Sequence, residues 1–118
     1  MRGRDGGGKI LMEAHVSSFN RAVQSGDYTE MLSRFADDAE LVFEGVPVGP
    51  FRGRAAIARA YAEQPPDDTV ELLEIIDGNP VVARYSWSRD GGVQSGRMLL
   101  NERAGRIERL VVTFERAD

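Results

Sequence analysis

Three side chains in this sequence are candidates for acid–base chemistry: Glu44, Arg97 and His15. Glu44 ends the run FADDAELVFE and has no basic neighbour on either side. In an apolar pocket, desolvation of its carboxylate would raise its pKa towards the range that suits a general base or acid. The alternative for a Glu beside a glycine turn is an ordinary side chain in solvent.

Arg97 lies in the middle of the run Ser95 to Leu100, where a buried guanidinium without a partner would be costly. Facing inward, it would pair with Glu44 or stabilise a ligand oxygen that gains negative charge. Facing outward, it would be a cation on the surface or in a dimer interface. The length of the Asp90-Gly91-Gly92 turn decides between the two orientations, and the sequence leaves that length open.

His15 lies four residues before Phe19, which places both side chains on one face of a helix. It is a candidate catalyst because His titrates near neutral pH; the alternative is a surface or packing residue near a helix start. The chain has one His and no Cys, which excludes a zinc–thiolate site and a multi-histidine metal cage within it. We therefore expect no metal site of these kinds, and the favoured hypothesis involves neither a metal nor an organic cofactor.

The composition favours one compact cytoplasmic domain. The chain has 118 residues, of which 42% are hydrophobic, enough for an ordinary core. A net charge of −4 gives no electrostatic reason to bind nucleic acid or an anionic membrane. No apolar run is long enough to cross a bilayer, and Gly6 to Gly8 occupy the place where a signal peptide would be apolar.

The apolar spacing predicts helices in the first half of the chain and strands in the second. Residues 1–10 are predicted to be a flexible tail, and residues 11–118 a single domain. The predicted helices are Leu11 to Gly26, Asp27 to about Ala36, and Arg54 to Glu63. The predicted strands are Ala39 to Glu44, Thr69 to Ile76, Val81 to Arg89, Val93 to Asn101 and Arg106 to Glu115. Three helices packed on a curved, mostly antiparallel sheet would form an α+β cone with room for a cavity.

Several local phrases resemble the nuclear transport factor 2 superfamily, which includes SnoaL-like polyketide cyclases and ketosteroid isomerases. The phrases are Ser25-Gly26-Asp27, Phe35-Ala36-Asp37-Asp38-Ala39, Phe51-Arg52-Gly53-Arg54 with Ile57 and Tyr61, and Gly105-Arg106-Ile107. They span most of the chain, so the resemblance implies the cone fold. The superfamily holds many activities on one fold, and function has to be argued from the site.

The resemblance to ketosteroid isomerases implies a general base at Glu44. It places Phe19 and Arg97 where those enzymes carry the Tyr and Asp that stabilise the oxyanion. Tyr61 matches a supporting Tyr, whereas Phe35 takes the place of a second hydroxyl-bearing aromatic. Steroid isomerase chemistry with the usual donor pair is therefore not expected.

The favoured hypothesis is a cofactor-independent isomerase or cyclase acting on a small apolar or carbonyl-containing molecule. Glu44 would move a proton, Arg97 would stabilise the oxygen, and His15 or Tyr61 would orient the substrate. The cavity is expected to be lined by Phe19, Tyr61, Tyr85, Trp87, Leu110, Val112 and Phe114. The alternatives are a non-catalytic binding module and a dimerisation scaffold with a filled core.

A homodimer through the sheet is also expected. It would be formed either by Tyr85 with Trp87 or by Val111 with Thr113, since each pair shares one face of its strand. This arrangement is the usual one in the superfamily.

Overall fold

The computed structural model describes residues 7–115. The helices in this range are α1 (Gly7–Ser25), α2 (Thr29–Ser33) and α3 (Arg54–Glu63). The strands are β1 (Phe35–Glu44), β2 (Phe51–Arg52), β3 (Val70–Ile76), β4 (Val81–Trp87), β5 (Gly96–Arg103) and β6 (Arg106–Thr113). None of these helices is long and apolar enough to cross a bilayer. The helices pack on a curved, open sheet, which confirms the predicted α+β cone.

The six strands form one mixed sheet in the order β2-β1-β6-β5-β4-β3. Strands β3 to β6 form the predicted antiparallel meander. Strand β1 runs parallel to β6, with Phe43 beside Val112, because α3 carries the chain from one edge of the sheet to the other between them. The first and last strands of the domain therefore meet in the middle of the sheet.

The first helix begins earlier than the sequence predicts. It starts at Gly7, so residues 7–10 are helical and the predicted boundary of the tail is wrong; residues 1–6 lie outside the described residues. A Cβ atom on Gly8 would lie 2.4 Å from a methyl group of Val81 in β4. A glycine at this point lets the helix approach the sheet closely. Because glycine has a poor helix propensity, the sequence does not predict a helix here.

The second helix is shorter than predicted. It ends at Ser33, and Phe35 belongs to β1, where it pairs with Ile107. At the start of the helix, Asp27 accepts a 3.0 Å hydrogen bond from the backbone N–H of Thr29. Pairing with β6 thus overrides the helical pattern that continues through Phe35.

The alternation along the strands assigns each side chain to one of two sheet faces. The inner face is covered by the helices, and it carries Leu41 and Phe43 of β1 and Leu110 and Val112 of β6. The outer face carries the residues between them, including Val42, Glu44, Val111 and Thr113. The two faces therefore separate the residues that can reach a cavity from those that cannot.

Candidate active site in the cone

A cavity of about 500 Å³ opens between the inner sheet face, α1 and α3. Its wall is mainly apolar, with Val46, Pro47 and Val48 from the β1–β2 loop and Met98 from β5. The aromatic side chains in the wall are Phe19, Phe43, Phe51, Tyr61, Tyr85, Trp87 and Phe114. Such a concave apolar surface with few polar groups is typical of a small-molecule site.

Most of the predicted binding residues line this cavity. Phe19, Tyr61, Tyr85, Trp87, Val112 and Phe114 all do so. Leu110 is fully buried and lies outside the lining, which corrects its predicted role. Leu110 lies two residues before Val112 in β6, between Leu41 and Leu100 on the neighbouring strands. The core is filled at this point and leaves no cavity.

Tyr85 is fixed in the wall by its hydroxyl group. The hydroxyl donates a 2.8 Å hydrogen bond to the backbone carbonyl of Thr113. Burial raises the pKa of Tyr85, with a smaller contribution from the nearby Glu115 carboxylate. The ring of Trp87 meets that of Tyr85 edge-on, with centroids 5.9 Å apart. The aromatic wall at this end of the cavity is therefore held in one geometry.

His15 is the most unusual polar group in the wall. Its side chain lines the cavity and is 2% exposed, and its ring contacts Phe19 and, edge-on at 5.6 Å, Phe35. Burial, together with the positive charge of Arg34, lowers its pKa to about 4. Its Nδ1 atom is the only buried side-chain nitrogen or oxygen in residues 7–115 that lacks a hydrogen-bond partner. The imidazole is therefore neutral at physiological pH and incompletely satisfied.

Tyr61 brings a second polar group to the cavity from α3. Its ring stacks on Tyr28 with centroids 5.2 Å apart and meets Phe19 edge-on at 6.5 Å. Burial, and to a lesser extent Tyr28, raises the pKa of its phenol, which therefore stays protonated and can donate a hydrogen bond. This side chain lies where the sequence places it.

Glu44 does not reach the cavity. It is exposed at the end of β1 and lies outside the lining, and its strand partner in β6 is Thr113 on the outer face. The alternation of β1 that turns Phe43 inward turns Glu44 outward. The expectation that this carboxylate is desolvated in a pocket is therefore wrong, and the ordinary side-chain reading describes its position.

Arg97 also faces outward. Its neighbour across the β4–β5 pair is Arg84, and its Nε atom lies 2.7 Å from a carboxylate oxygen of Glu115. Hydrogen bonds from Arg97, and then from Thr113, lower the pKa of the Glu115 carboxyl group. The sequence allows an ion pair between Glu44 and Arg97, but none forms within the described residues. Both side chains are on the outer face, at different positions.

Several residues of the cavity wall are not among those predicted from the sequence. The signal for Phe43 was present, since it follows Leu41 by two positions in a strand. The loop residues Val46 and Val48, which are 38% and 37% exposed, carry no periodic pattern that predicts their place at the cavity. Glu63 and Gln64 at the end of α3 also line it.

Asn20 fixes α1 against the sheet beside the cavity. Its amide group donates a 2.9 Å hydrogen bond to the Val70 carbonyl and accepts one of the same length from the Val70 N–H. Val70 itself lines the cavity. This two-way bond holds the helix that carries His15 and Phe19 at a fixed distance from β3.

No group of three or more His, Cys, Asp or Glu side chains within residues 7–115 is arranged to hold a metal ion.

The polar groups that the described wall offers to a bound molecule are few. They include the imidazole of His15, the phenol of Tyr61, the indole of Trp87, and the side chains of Glu63 and Gln64 near the end of α3.

The sequence matches the family model of the SnoaL-like domain over residues 16–118. The chain belongs to the SnoaL-like domain family. The match begins within α1 and includes every strand of the cone. No curated protein sequence matches this chain.

Solved structures share the fold of this SnoaL-like protein. A candidate polyketide cyclase from Xanthomonas campestris is 23% identical, with a TM-score of 0.70 over 96% of this chain and 93% of that one. A candidate ketosteroid isomerase from Kribbella flavida is 19% identical, with a TM-score of 0.70 over 97% of this chain and 82% of that one. A SnoaL-like protein of unknown function from Burkholderia thailandensis is 18% identical, with a TM-score of 0.70 over 92% and 97% of the two chains. At these identities the likeness shows the fold alone.

Proposed function

We propose that this SnoaL-like protein binds a small, largely apolar molecule in the cavity of the cone. The observation that carries the proposal is the cavity of about 500 Å³ with its aromatic wall. Val46 and Val48 remain partly exposed at this wall, and a bound molecule would remove their apolar surface from water. The filled-core scaffold is disfavoured because Phe19, Val112 and Phe114 surround space.

Titration with the neutral dye Nile red, followed by its fluorescence, tests this proposal. Val112→Phe places a ring in the cavity and should raise the dissociation constant at least about tenfold, because the space is lost. Val93→Phe is the matched control with the same change of side chain, since Val93 is exposed and lies outside the cavity lining. Equal affinity of the two variants, or no binding by the native protein, would contradict the proposal.

A second candidate function is proton transfer next to a carbonyl group, of the isomerase or cyclase kind. The observation that favours it is the pairing of a neutral imidazole, His15, with a protonated phenol, Tyr61, in one apolar wall. With its resident proton on Nδ1, the imidazole would take a proton at Nε2 from the carbon beside the carbonyl. The Tyr61 hydroxyl would donate a hydrogen bond to the resulting enolate oxygen. In this mechanism His15 has the role that the sequence assigns to Glu44.

The binding function is favoured over catalysis by the pKa of His15. A pKa of about 4 means that the cavity resists the imidazolium ion that a general base must form. Exchange of substrate α-protons for deuterium, measured by NMR with a cyclic ketone, tests the catalytic candidate. Exchange that is lost in His15→Leu and retained in Glu44→Gln would favour catalysis by His15, whereas exchange no faster than in buffer would exclude it for that ketone.

We also propose that the chain pairs with a second copy through the outer sheet face. Five apolar side chains lie side by side across five strands in direct register, and we call them the outer row: Ile76, Val82, Leu99, Val111 and Val42. Charges of both signs flank the row, with Glu74, Arg84 and Arg97 on one side and Arg109, Glu40 and Arg52 on the other. Such a face can meet its own copy with charges of opposite sign opposed. Tyr85 and Trp87 cannot form this contact because they line the cavity.

A further inference from the structure

The His15 imidazole is a polar group that the protein keeps buried at a cost. Its Nδ1 atom is shielded from solvent and unpartnered within residues 7–115, while its ring forms part of the cavity wall. An apolar side chain of similar size would avoid the loss of hydration. A polar ring kept in an otherwise apolar cavity wall is expected where one of its nitrogens forms a hydrogen bond to a bound molecule.

The surroundings of the ring indicate which nitrogen carries its proton. A buried N–H group without an acceptor is costlier than a bare nitrogen lone pair, so the shielded Nδ1 atom is best left unprotonated. The guanidinium of Arg34, which is held by Glu30 and Ser18, acts against an additional proton on this ring. The neutral imidazole therefore carries its proton on Nε2 and offers the cavity a hydrogen-bond donor.

The charge of the cavity wall argues against an anionic occupant. Among the described residues, the wall contains no Lys and no Arg, and Glu63 adds a carboxylate to it. Arg97, the cation expected there from the sequence, is on the outer face with Glu115. A carboxylate or phosphate buried among these aromatic rings would lose its hydration without gaining a counter-ion.

We propose that the cavity selects neutral molecules that carry a hydrogen-bond acceptor, such as a ketone or ester oxygen, over anions of the same shape, and that His15 donates to that acceptor. This inference rests on the proposed binding function and adds the class of ligand and the residue that recognises it. His15 is a ligand-contacting residue here, and no proton is transferred. The apolar remainder of the ligand contacts the aromatic wall.

Three probes that share one ring system and differ in a single substituent test the inference: 2-acetylnaphthalene, 2-ethylnaphthalene and 2-naphthoate. Their dissociation constants are measured by equilibrium dialysis at pH 7.5, roughly one unit above the ordinary pKa of His. The ketone should bind about fivefold to tenfold more tightly than the ethyl compound, because it gains one hydrogen bond. The carboxylate should bind at least about 100-fold more weakly than the ketone.

Variants of His15 assign the preference to its side chain. In His15→Leu, the preference for the ketone over the ethyl compound should fall to about twofold or less, because His15 is the donor that the proposal assigns to the ligand oxygen. His15→Gln retains a donor amide and should restore part of the preference for the ketone, which a merely structural role for His15 would not predict. Thermal melting of each variant verifies that it is folded.

The outcomes separate the inference from the binding function on which it rests. Equal binding of all three probes, tighter binding of the carboxylate, or a ketone preference that persists in His15→Leu would overturn the selectivity and leave the binding function standing. Failure of all three probes to bind, together with no Nile red binding, would overturn both.

Discussion

The Tyr85 hydroxyl reaches across strand β5 to donate a 2.8 Å hydrogen bond to the backbone carbonyl of Thr113 in β6. Gly96 of β5 lies between them, paired with Tyr85. A Cβ atom there would lie 1.9 Å from the Thr113 carbonyl oxygen and 3.0 Å from the Tyr85 ring. The missing side chain of Gly96 is therefore what allows the cavity wall to be tied to the last strand.

Gly96→Ala should destabilise the protein by about 3 kcal/mol or more, because the added methyl group meets backbone that cannot move independently of the sheet. Chemical denaturation measures the loss. Gly105→Ala is the control: nothing lies within 4 Å of its added Cβ, and only its φ of 80° opposes the change. Its cost should be about 1 kcal/mol. Equal losses for the two variants would contradict the role of close packing at Gly96.

The free energy of unfolding should fall as the pH is lowered from 6.5 to about 4, because of His15. Its pKa is about 4 in the folded protein and 6.5 when unperturbed, so the unfolded chain binds the extra proton in this range. Stability contributed by the neutral imidazole is present above pH 6.5 and is lost on acidification by an amount on the order of 3 kcal/mol. Urea denaturation at several pH values measures it.

His15→Leu is the control for this pH dependence and should flatten the curve between pH 6.5 and 4.5. Carboxyl groups with lowered pKa values, such as Asp68 and Glu115, lose their stabilising effect at lower pH, since their ordinary values are 3.8 and 4.5. The variant should also be at least as stable as the native protein at neutral pH, because it removes an unpartnered buried nitrogen. An unchanged slope in His15→Leu would show that another group causes it.

Glu44→Gln should leave ligand binding unchanged, with a Nile red dissociation constant within about twofold of the native value. The reason is the position of Glu44 on the outer face, away from the cavity wall. Phe43→Ala, one residue earlier, removes a ring from the wall and should weaken binding by about tenfold. A large effect of the Glu44 change would require the carboxylate to reach the ligand after all.

Leu99→Arg should convert a dimer into a monomer, because it places a charge in the middle of the outer row. Light scattering at micromolar concentration measures the mass. Gln24→Arg adds the same charge on the exposed side of α1 and should leave the mass unchanged. A monomeric native protein at this concentration would contradict the proposed pairing.

The fold could be predicted from the sequence because its signals are local. The bounds of α3 at Arg54 and Glu63 agree with the prediction, since a helical pattern ends before two prolines. The segment that contains Phe35 is predicted as helix but forms a strand, because its structure depends on pairing with Ile107, which is distant in sequence. Local patterns thus identify elements, while long-range pairing sets where they begin.

The site was harder to predict because it depends on which face of the sheet Glu44 and Arg97 occupy, and this follows from the strand register. A one-residue shift in β1 would have exchanged Phe43 and Glu44, and nothing near Gly45 fixes that choice in the sequence alone. The orientation of Arg97 likewise follows from its register with Arg84, which the connection of residues 88–95 between β4 and β5 determines. The helical spacing of His15 and Phe19 is free of this ambiguity, and both side chains are found at the cavity.

The segment from Val46 to Val48 has a consequence for how this domain can change over time. It forms part of the cavity wall, yet β1 and β2 on either side of it pair only at Glu40 with Arg52 and Leu41 with Phe51. Insertions or deletions in it would alter which molecules fit while the six-stranded framework stays intact. The range of molecules that fit the cavity and the folding of the domain can therefore diverge independently in descendants of this chain.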